Sequence, residues 1–311
     1  MRSSSVGGKE SRESFCTVET EPCNSVISTE TEYMEMESYL NSSTLTLPSF
    51  LSRNTSAVAE ALSVMLQKEQ SFYRCQDYLK IRRTSSSHQI VTPSDRTKVV
   101  EWCYGIIDQC QLGREVVAIA MNIVDRFFSN GSIDSVMQQY LDHEQYQLLA
   151  MTALYMSIKI HESTVLGSEF FAEISKGKYS VEQIETTELM ILKQLEFRLS
   201  SPTPIQMATH ILSLLLPYVC ISQSTWDFIL EEVKYQSECT VFDYFFSTQR
   251  PSTVAMASIM ITVELEQVIE EQDRTALLKT LALISTAHDF ANPTQLLDVK
   301  NQLQYLVKNG I

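Results

Sequence analysis

The stretch Asp125-Arg126-Phe127-Phe128, with Tyr155-Met156-Ser157-Ile158-Lys159-Ile160-His161-Glu162 downstream of it, decides how the rest of this sequence is read. Before Phe127, Val116, Val117, Ala120, Ile123 and Val124 recur at helical spacing, so a helix is expected from about Arg114 to Phe128. Ser129-Asn130-Gly131-Ser132 then closes it with residues that favour turns. The next segment, Glu144 to His161, is apolar on nearly every side, carrying Leu148, Leu149, Met151, Ala153, Leu154, Met156 and Ile158. A helix of that kind belongs at the centre of a bundle, where no face meets water. From Leu148 onward its first charge is Lys159.

Working outward, Pro93-Ser94-Asp95 reads as a helix start, followed by Val99, Val100, Cys103, Ile106 and Ile107. An amphipathic segment from Ala57 to Tyr78 precedes it, with Leu62, Leu66, Phe72 and Tyr73, and Arg82-Arg83-Thr84-Ser85-Ser86-Ser87 breaks the pattern between them. On the other side, short helices are expected from Gly167 to Ser175 and from Ser180 to Gln194, the latter opened by a capping serine. Ser200-Ser201-Pro202-Thr203-Pro204 is the cleanest boundary, because alternate prolines stop helix propagation and stiffen the join. Five helical patterns follow, at about Ile205–Leu216, Ser224–Ser237, Ser252–Val268, Arg274–Ala287 and Gln295–Val307. With about five helices on each side, the chain reads as a pseudo-repeat of one all-α unit. The expected division is residues 1–55 without order, 56–200 as a first fold and 201–311 as a second.

Bulk composition supports this reading. Of 311 residues 44% are hydrophobic, and Gly and Pro number only eight each, which favours helices over a turn-rich β protein. The first 48 residues depart from it, being rich in Ser, Thr and Glu with no sustained apolar period, so ordering them would cost more than their burial returns. A net charge of −14 repels phosphate backbones and argues against nucleic acid as a partner. The seven cysteines form no CxxC pair and show no ligand spacing, which suits buried thiols in a reducing compartment rather than a zinc or disulfide framework. No apolar run is long enough for a membrane span and no signal peptide is evident, so no membrane association is expected and nucleus and cytoplasm are the expected locations. GxGxxG, P-loop, GxSxG, HExxH and kinase signatures are all absent, so neither catalysis nor a cofactor nor a metal is expected.

Taken in order, these segments resemble the cyclin family, whose members consist of two tandem five-helix cyclin folds. The resemblance covers roughly Ser56 to Leu306 and implies an all-α fold preceded by a disordered acidic Ser/Thr-rich segment. It rests on Arg96 and Trp102, Asp125, the lysine turn at Lys159, Thr187-Glu188-Leu189-Met190-Ile191-Leu192-Lys193, and the exit Leu195-Glu196-Phe197-Arg198-Leu199-Ser200-Ser201-Pro202-Thr203-Pro204. Tyr235-Gln236-Ser237-Glu238-Cys239-Thr240-Val241 and Pro251-Ser252-Thr253-Val254-Ala255-Met256-Ala257-Ser258-Ile259 resemble the family's C-terminal domain.

The resemblance implies a non-catalytic regulatory subunit that activates a cyclin-dependent protein kinase in cell-cycle control, with kinase substrates as further partners. A transcription-associated cyclin, or a cyclin-fold transcription factor, is the alternative. Lys159, Ile160, Glu162 and Glu188 match the kinase-binding positions. Read without the family, Lys159 serves equally as a cation complementing its helix C-terminus. Arg96 and Asp125 match an ion pair that holds the fold together. Arg96, Val99, Trp102 and Gln147 match a substrate-docking groove. That groove is expected to be degraded, since Asp95 and Lys98 stand where apolar residues are usual and Gly105 where an acid is expected. His161 also departs from the family, replacing an acid.

Overall fold

In the computed structural model of the chain, residues 53–82, 91–129, 143–164, 166–265, 269–288, 290 and 292–309 are described. All regular structure among them is helical: α1 Arg53–Gln70, α2 Tyr78–Arg82, α3 Pro93–Cys110, α4 Glu115–Ser129, α5 His143–His161, α6 Ser168–Ile174, α7 Val181–Gln194, α8 Pro204–Leu215, α9 Gln223–Phe242, a 3₁₀ turn Tyr244–Thr248, α10 Pro251–Leu265, α11 Glu271–His288 and α12 Pro293–Asn309. The expected disorder falls outside the described residues up to residue 52, and helix α1 begins at Arg53 rather than at Ser56. The expected break at 83–87 and most of the turn after Ser129 also lie outside them. The single helix expected over Ala57–Tyr78 is two, because the chain leaves helical geometry after Gln70 and re-enters it at Tyr78.

Helix starts are fixed locally. Thr92 and Asp95 form a reciprocal capping box on α3, and Ser180 and Gln183 form another on α7, each satisfying backbone N–H groups that the first turn leaves unpaired. Pro93, Pro204, Pro251 and Pro293 occupy first helical positions, where a missing N–H costs no bond.

Helix α5 runs through the middle of the first half, and every residue from Leu148 to Ile158 is buried. It packs on α4 and α7, and with α3 and α6 these helices enclose one hydrophobic core. Its lone threonine inside, Thr152, is satisfied by donating to the Leu148 carbonyl at 2.8 Å. Helix α10 has the same character in the second half, buried from Ser252 to Ile259, with α8, α9, α11 and α12 around it. The halves meet along α9, whose Val241 joins the first core.

Helix α1 packs on α8 of the second half. Leu62 and Leu66 lie in the core with Met207, Ile211, Ile229 and Phe290. At its end the buried Glu69 accepts from Arg250 Nε (2.9 Å), Ser252 N (2.9 Å) and Ser252 Oγ (2.5 Å), so a carboxylate sits on the first turn of α10, where the helix dipole favours it. The join after Leu199 is an interior strut. Ser201 and Thr203 are buried, and Thr203 Oγ1 donates to Glu115 while capping α8.

Two stability measurements check this packing. Leu62→Ala lowers the unfolding free energy by about 2–5 kcal/mol in urea titration, since a fully buried leucine leaves a cavity. His288 stacks on Phe290 at 5.5 Å, and burial lowers its pKa from the ordinary 6.5. The unfolded chain therefore binds this proton more tightly, so stability falls as pH drops through 6.5 towards the lower folded value. His288→Gln flattens that part of the stability–pH curve.

Candidate functional site

The end of α5 and the middle of α7 form the surface in question. Lys159 Nζ lies 3.0 Å from Glu188 Oε1 and 5.2 Å from the Tyr155 ring centroid. The two partners are unequally exposed: the lysine side chain is 53% accessible and the glutamate 17%. Glu188 is thus the anchor and Lys159 the group offered outward. The hydrogen bond that Lys159 donates to Glu188 raises the lysine pKa above its ordinary value, so the ammonium stays charged. Beside them Ile160 and Leu189 are exposed apolar side chains, 45% and 48% accessible. Glu162 is turned elsewhere, its Oε1 accepting from Gly113 N at 3.0 Å, which ties the end of α5 to the loop before α4. His161 is exposed.

Behind this face lies the interior ion pair. Arg96 Nη2 sits 2.8 Å from Asp125 Oδ2 and its Nε 3.2 Å from Oδ1, with both side chains almost fully buried. Tyr78 Oη donates to Asp125 Oδ1 at 2.8 Å, and Arg96 Nη1 donates to the Val241 carbonyl. Burial opposes the charge on Arg96, but Asp125 outweighs it and holds the guanidinium protonated. The pair therefore joins α2, α3, α4 and α9. Arg114 adds a second link, with Nε 2.6 Å from Glu238 Oε2 of α9 and Nη1 2.6 Å from Asp108.

Of the expected groove residues, Val99 and Trp102 are half-buried against the first core. Gln147 is engaged within the chain: its Oε1 accepts from Lys178 Nζ at 2.9 Å and from Tyr179 Oη at 3.2 Å. Arg96 directs its charge inward and presents none to a groove. Asp95 is occupied by the α3 cap. Burial opposes its charge, but hydrogen bonds from Thr92, with His143 and Lys98 nearby, lower its pKa. Gly105 faces open space.

Sequence reading gave no role to Tyr78, Glu69 or Arg114, nor to Glu238 and Val241 within the stretch quoted from α9. Arg126 stood in the quoted motif without a role, yet it is among the largest fully buried side chains. Among the described residues no cluster of three His, Cys, Asp or Glu side chains could hold a metal, and no helix is long and apolar enough to cross a membrane. Cys103 is a buried thiol, its pKa pushed up to about 12 by burial.

The site is thus an all-helical scaffold with a bidentate interior pair and a tethered lysine at the end of its central helix. The family model for the cyclin N-terminal domain matches residues 60–200. It is 24% identical over 175 residues to Cyclin-A2-2 of Arabidopsis thaliana, which is 55% of this chain and 37% of that protein. It is 27% identical over 203 residues to S-phase entry cyclin-5 of Saccharomyces cerevisiae, covering 65% and 42%. It is 28% identical over 163 residues to G2/mitotic-specific cyclin-B2 of Homo sapiens, covering 52% and 37%. The chain spans about two fifths of the length of these relatives. A viral cyclin from Herpesvirus saimiri, solved by X-ray, shares the fold at a TM-score of 0.54 and 14% identity, over 82% of this chain and 98% of that one.

The interior pair can be tested directly. Arg96→Ala removes the only counter-charge that ion-pairs Asp125 among the described residues and is expected to cost about 3–5 kcal/mol. Tyr78→Phe, which deletes one hydrogen bond to a charged group, is expected to cost about 1.5–3 kcal/mol. Urea unfolding of both variants reads the difference.

Proposed function

We propose that this chain is a cyclin, the non-catalytic regulatory subunit of a cyclin-dependent protein kinase, and acts in cell-cycle control, within the nucleus and cytoplasm. The observation that carries the reading is the half-exposed Lys159, held in place by Glu188 and flanked by exposed Ile160 and Leu189. The names of relatives, S-phase entry cyclin-5 and G2/mitotic-specific cyclin-B2, support the cell-cycle assignment.

On this reading the α5–α7 face is the docking platform. Ile160 and Leu189 supply apolar area that water solvates poorly, and the Lys159 ammonium donates to backbone carbonyls of the partner. Glu188 keeps that ammonium oriented, so less side-chain entropy is lost on binding. The kinase αC helix packs here and rotates inward. That brings its glutamate to the β3 lysine and orders the activation loop. The cyclin drives this change only by binding the active arrangement more tightly; a ratio of about 10⁴ moves a population from mostly off to mostly on. Substrates are recruited weakly through the Val99–Trp102 groove, because Gln147 is already hydrogen-bonded within the chain.

The test is a double substitution, Lys159→Ala with Glu188→Ala, assayed by co-purification with the kinase subunit and by activation of it. An exposed pair contributes at most about 1 kcal/mol to stability, so the melting temperature stays within a few degrees of the parent. Kinase association is expected to fall at least about tenfold. Undiminished co-purification would refute the platform.

A further inference from the structure

Four charged side chains are buried among the described residues: Glu69, Arg96, Asp125 and Arg126. Arg96 has Asp125 and Glu69 has Arg250 as counter-charge. Arg126 has none. Its Nη1 donates to the Arg198 carbonyl at 2.7 Å and its guanidinium lies 4.3 Å from the Tyr73 ring centroid, while its Nε has no hydrogen-bond partner among the described residues. Burying a guanidinium without an anion is costly, and burial lowers its pKa accordingly.

Arg126 is part of the lining of an open cleft of about 1040 Å³. Arg74 and Arg198 line the same cleft, the first exposed and the second half-buried. Arg198 lies over the Phe72 ring at 3.4 Å, and that ring is 59% accessible. Two carboxylates also line the cleft. Asp77 accepts from Tyr244 Oη at 3.1 Å, and Glu196 is an exposed partner of Arg198 at 3.0 Å. Three cations thus face two anions in a chain of net charge −14. The turn that presents Arg198 is strained: Glu196 and Phe197 have φ of 51° and 61°, an unfavourable conformation for residues with a Cβ. Such strain persists where surrounding contacts hold it, and it clusters at ligand clamps.

We propose that this cleft binds a phosphorylated serine or threonine on a peptide, its phosphate seated against Arg126 with Arg74 and Arg198 closing on it. A phosphate monoester carries up to two negative charges and accepts forked hydrogen bonds from guanidinium groups, which is what three arginines lining one cleft, two of them at its rim, offer. The cleft has room for flanking residues as well as the phosphate, and Phe72 gives them an apolar wall. A nucleic acid would bring many further phosphates up to a chain of net charge −14, which repels them.

The full chain, without kinase, is titrated with a fluorescent pool of phosphoserine peptides with randomised flanks, and with its unphosphorylated twin. The phosphorylated pool is expected to bind at least about tenfold tighter, with millimolar inorganic phosphate displacing it. Arg74→Glu and Arg198→Glu should each weaken it about tenfold at unchanged melting temperature. These rim variants carry the test because Arg126→Gln also removes the tie to the Arg198 carbonyl. Equal affinity for the two pools, indifference to both rim variants, or displacement by single-stranded RNA at the peptide's own concentration would overturn the proposal. The Lys159→Ala, Glu188→Ala double variant is expected to bind the pool normally, so this result stands apart from kinase docking.

Discussion

The bidentate contact between Arg96 and Asp125 is the constraint on which the architecture depends. Two opposite charges removed from water must satisfy each other and their remaining hydrogen-bonding capacity, and only a narrow range of geometries does so. Here that capacity is completed by Tyr78 from α2 and by the Val241 carbonyl at the end of α9. Four elements distant in sequence are thereby fixed to one point. The ring of Tyr244 meets Tyr78 edge-on at 5.2 Å, and Phe242 stacks on Tyr104 at 5.3 Å, so the polar contact is surrounded by close aromatic packing. Loss of either charge leaves the other buried alone.

From that fixed point the exposed face inherits its order. Helix α4 carries Asp125 and packs along α5, whose buried run from Leu148 to Ile158 admits little movement. The first side chains of α5 to escape burial after this run are Lys159 and Ile160. A charged group at that position also complements the C-terminal end of the helix dipole. Its pairing with Glu188 adds little to stability, and what it provides is orientation. The division of labour is clear from accessibility: the interior pair holds the fold, and the surface pair faces outward.

Much of this was legible before any coordinates. Apolar residues on all sides of 148–158 placed α5 at a bundle centre, and the capping serine of α7 and the prolines after Ser200 marked helix limits to within a few residues. Lys159 and Glu188 read together only as kinase-binding positions implied by family resemblance, since the residues lie 29 apart on different helices and no local period links them. Three features escaped. Helix α1 reads as amphipathic, but periodicity does not say which half its apolar face covers. Glu69 finds Ser252 across 183 positions, far outside any window in which spacing is informative. Arg126 was visible as a letter, yet its burial without a carboxylate partner among the described residues is a property of the assembled interior. Long-range pairing is where pattern reading stops.

The seating of α1 has a consequence for biosynthesis. The helix leaves the ribosome first among the described elements, but its binding site on α8 and the start of α10 is made much later. With 183 residues between Glu69 and Ser252, and elongation at about 5–20 residues per second, its leucines go uncovered for roughly 10–40 s in every round of translation. Throughout that interval Leu62 and Leu66 form an adhesive stripe on a nascent polypeptide, and a chaperone or the emerging first-half core must shield it until the second half arrives.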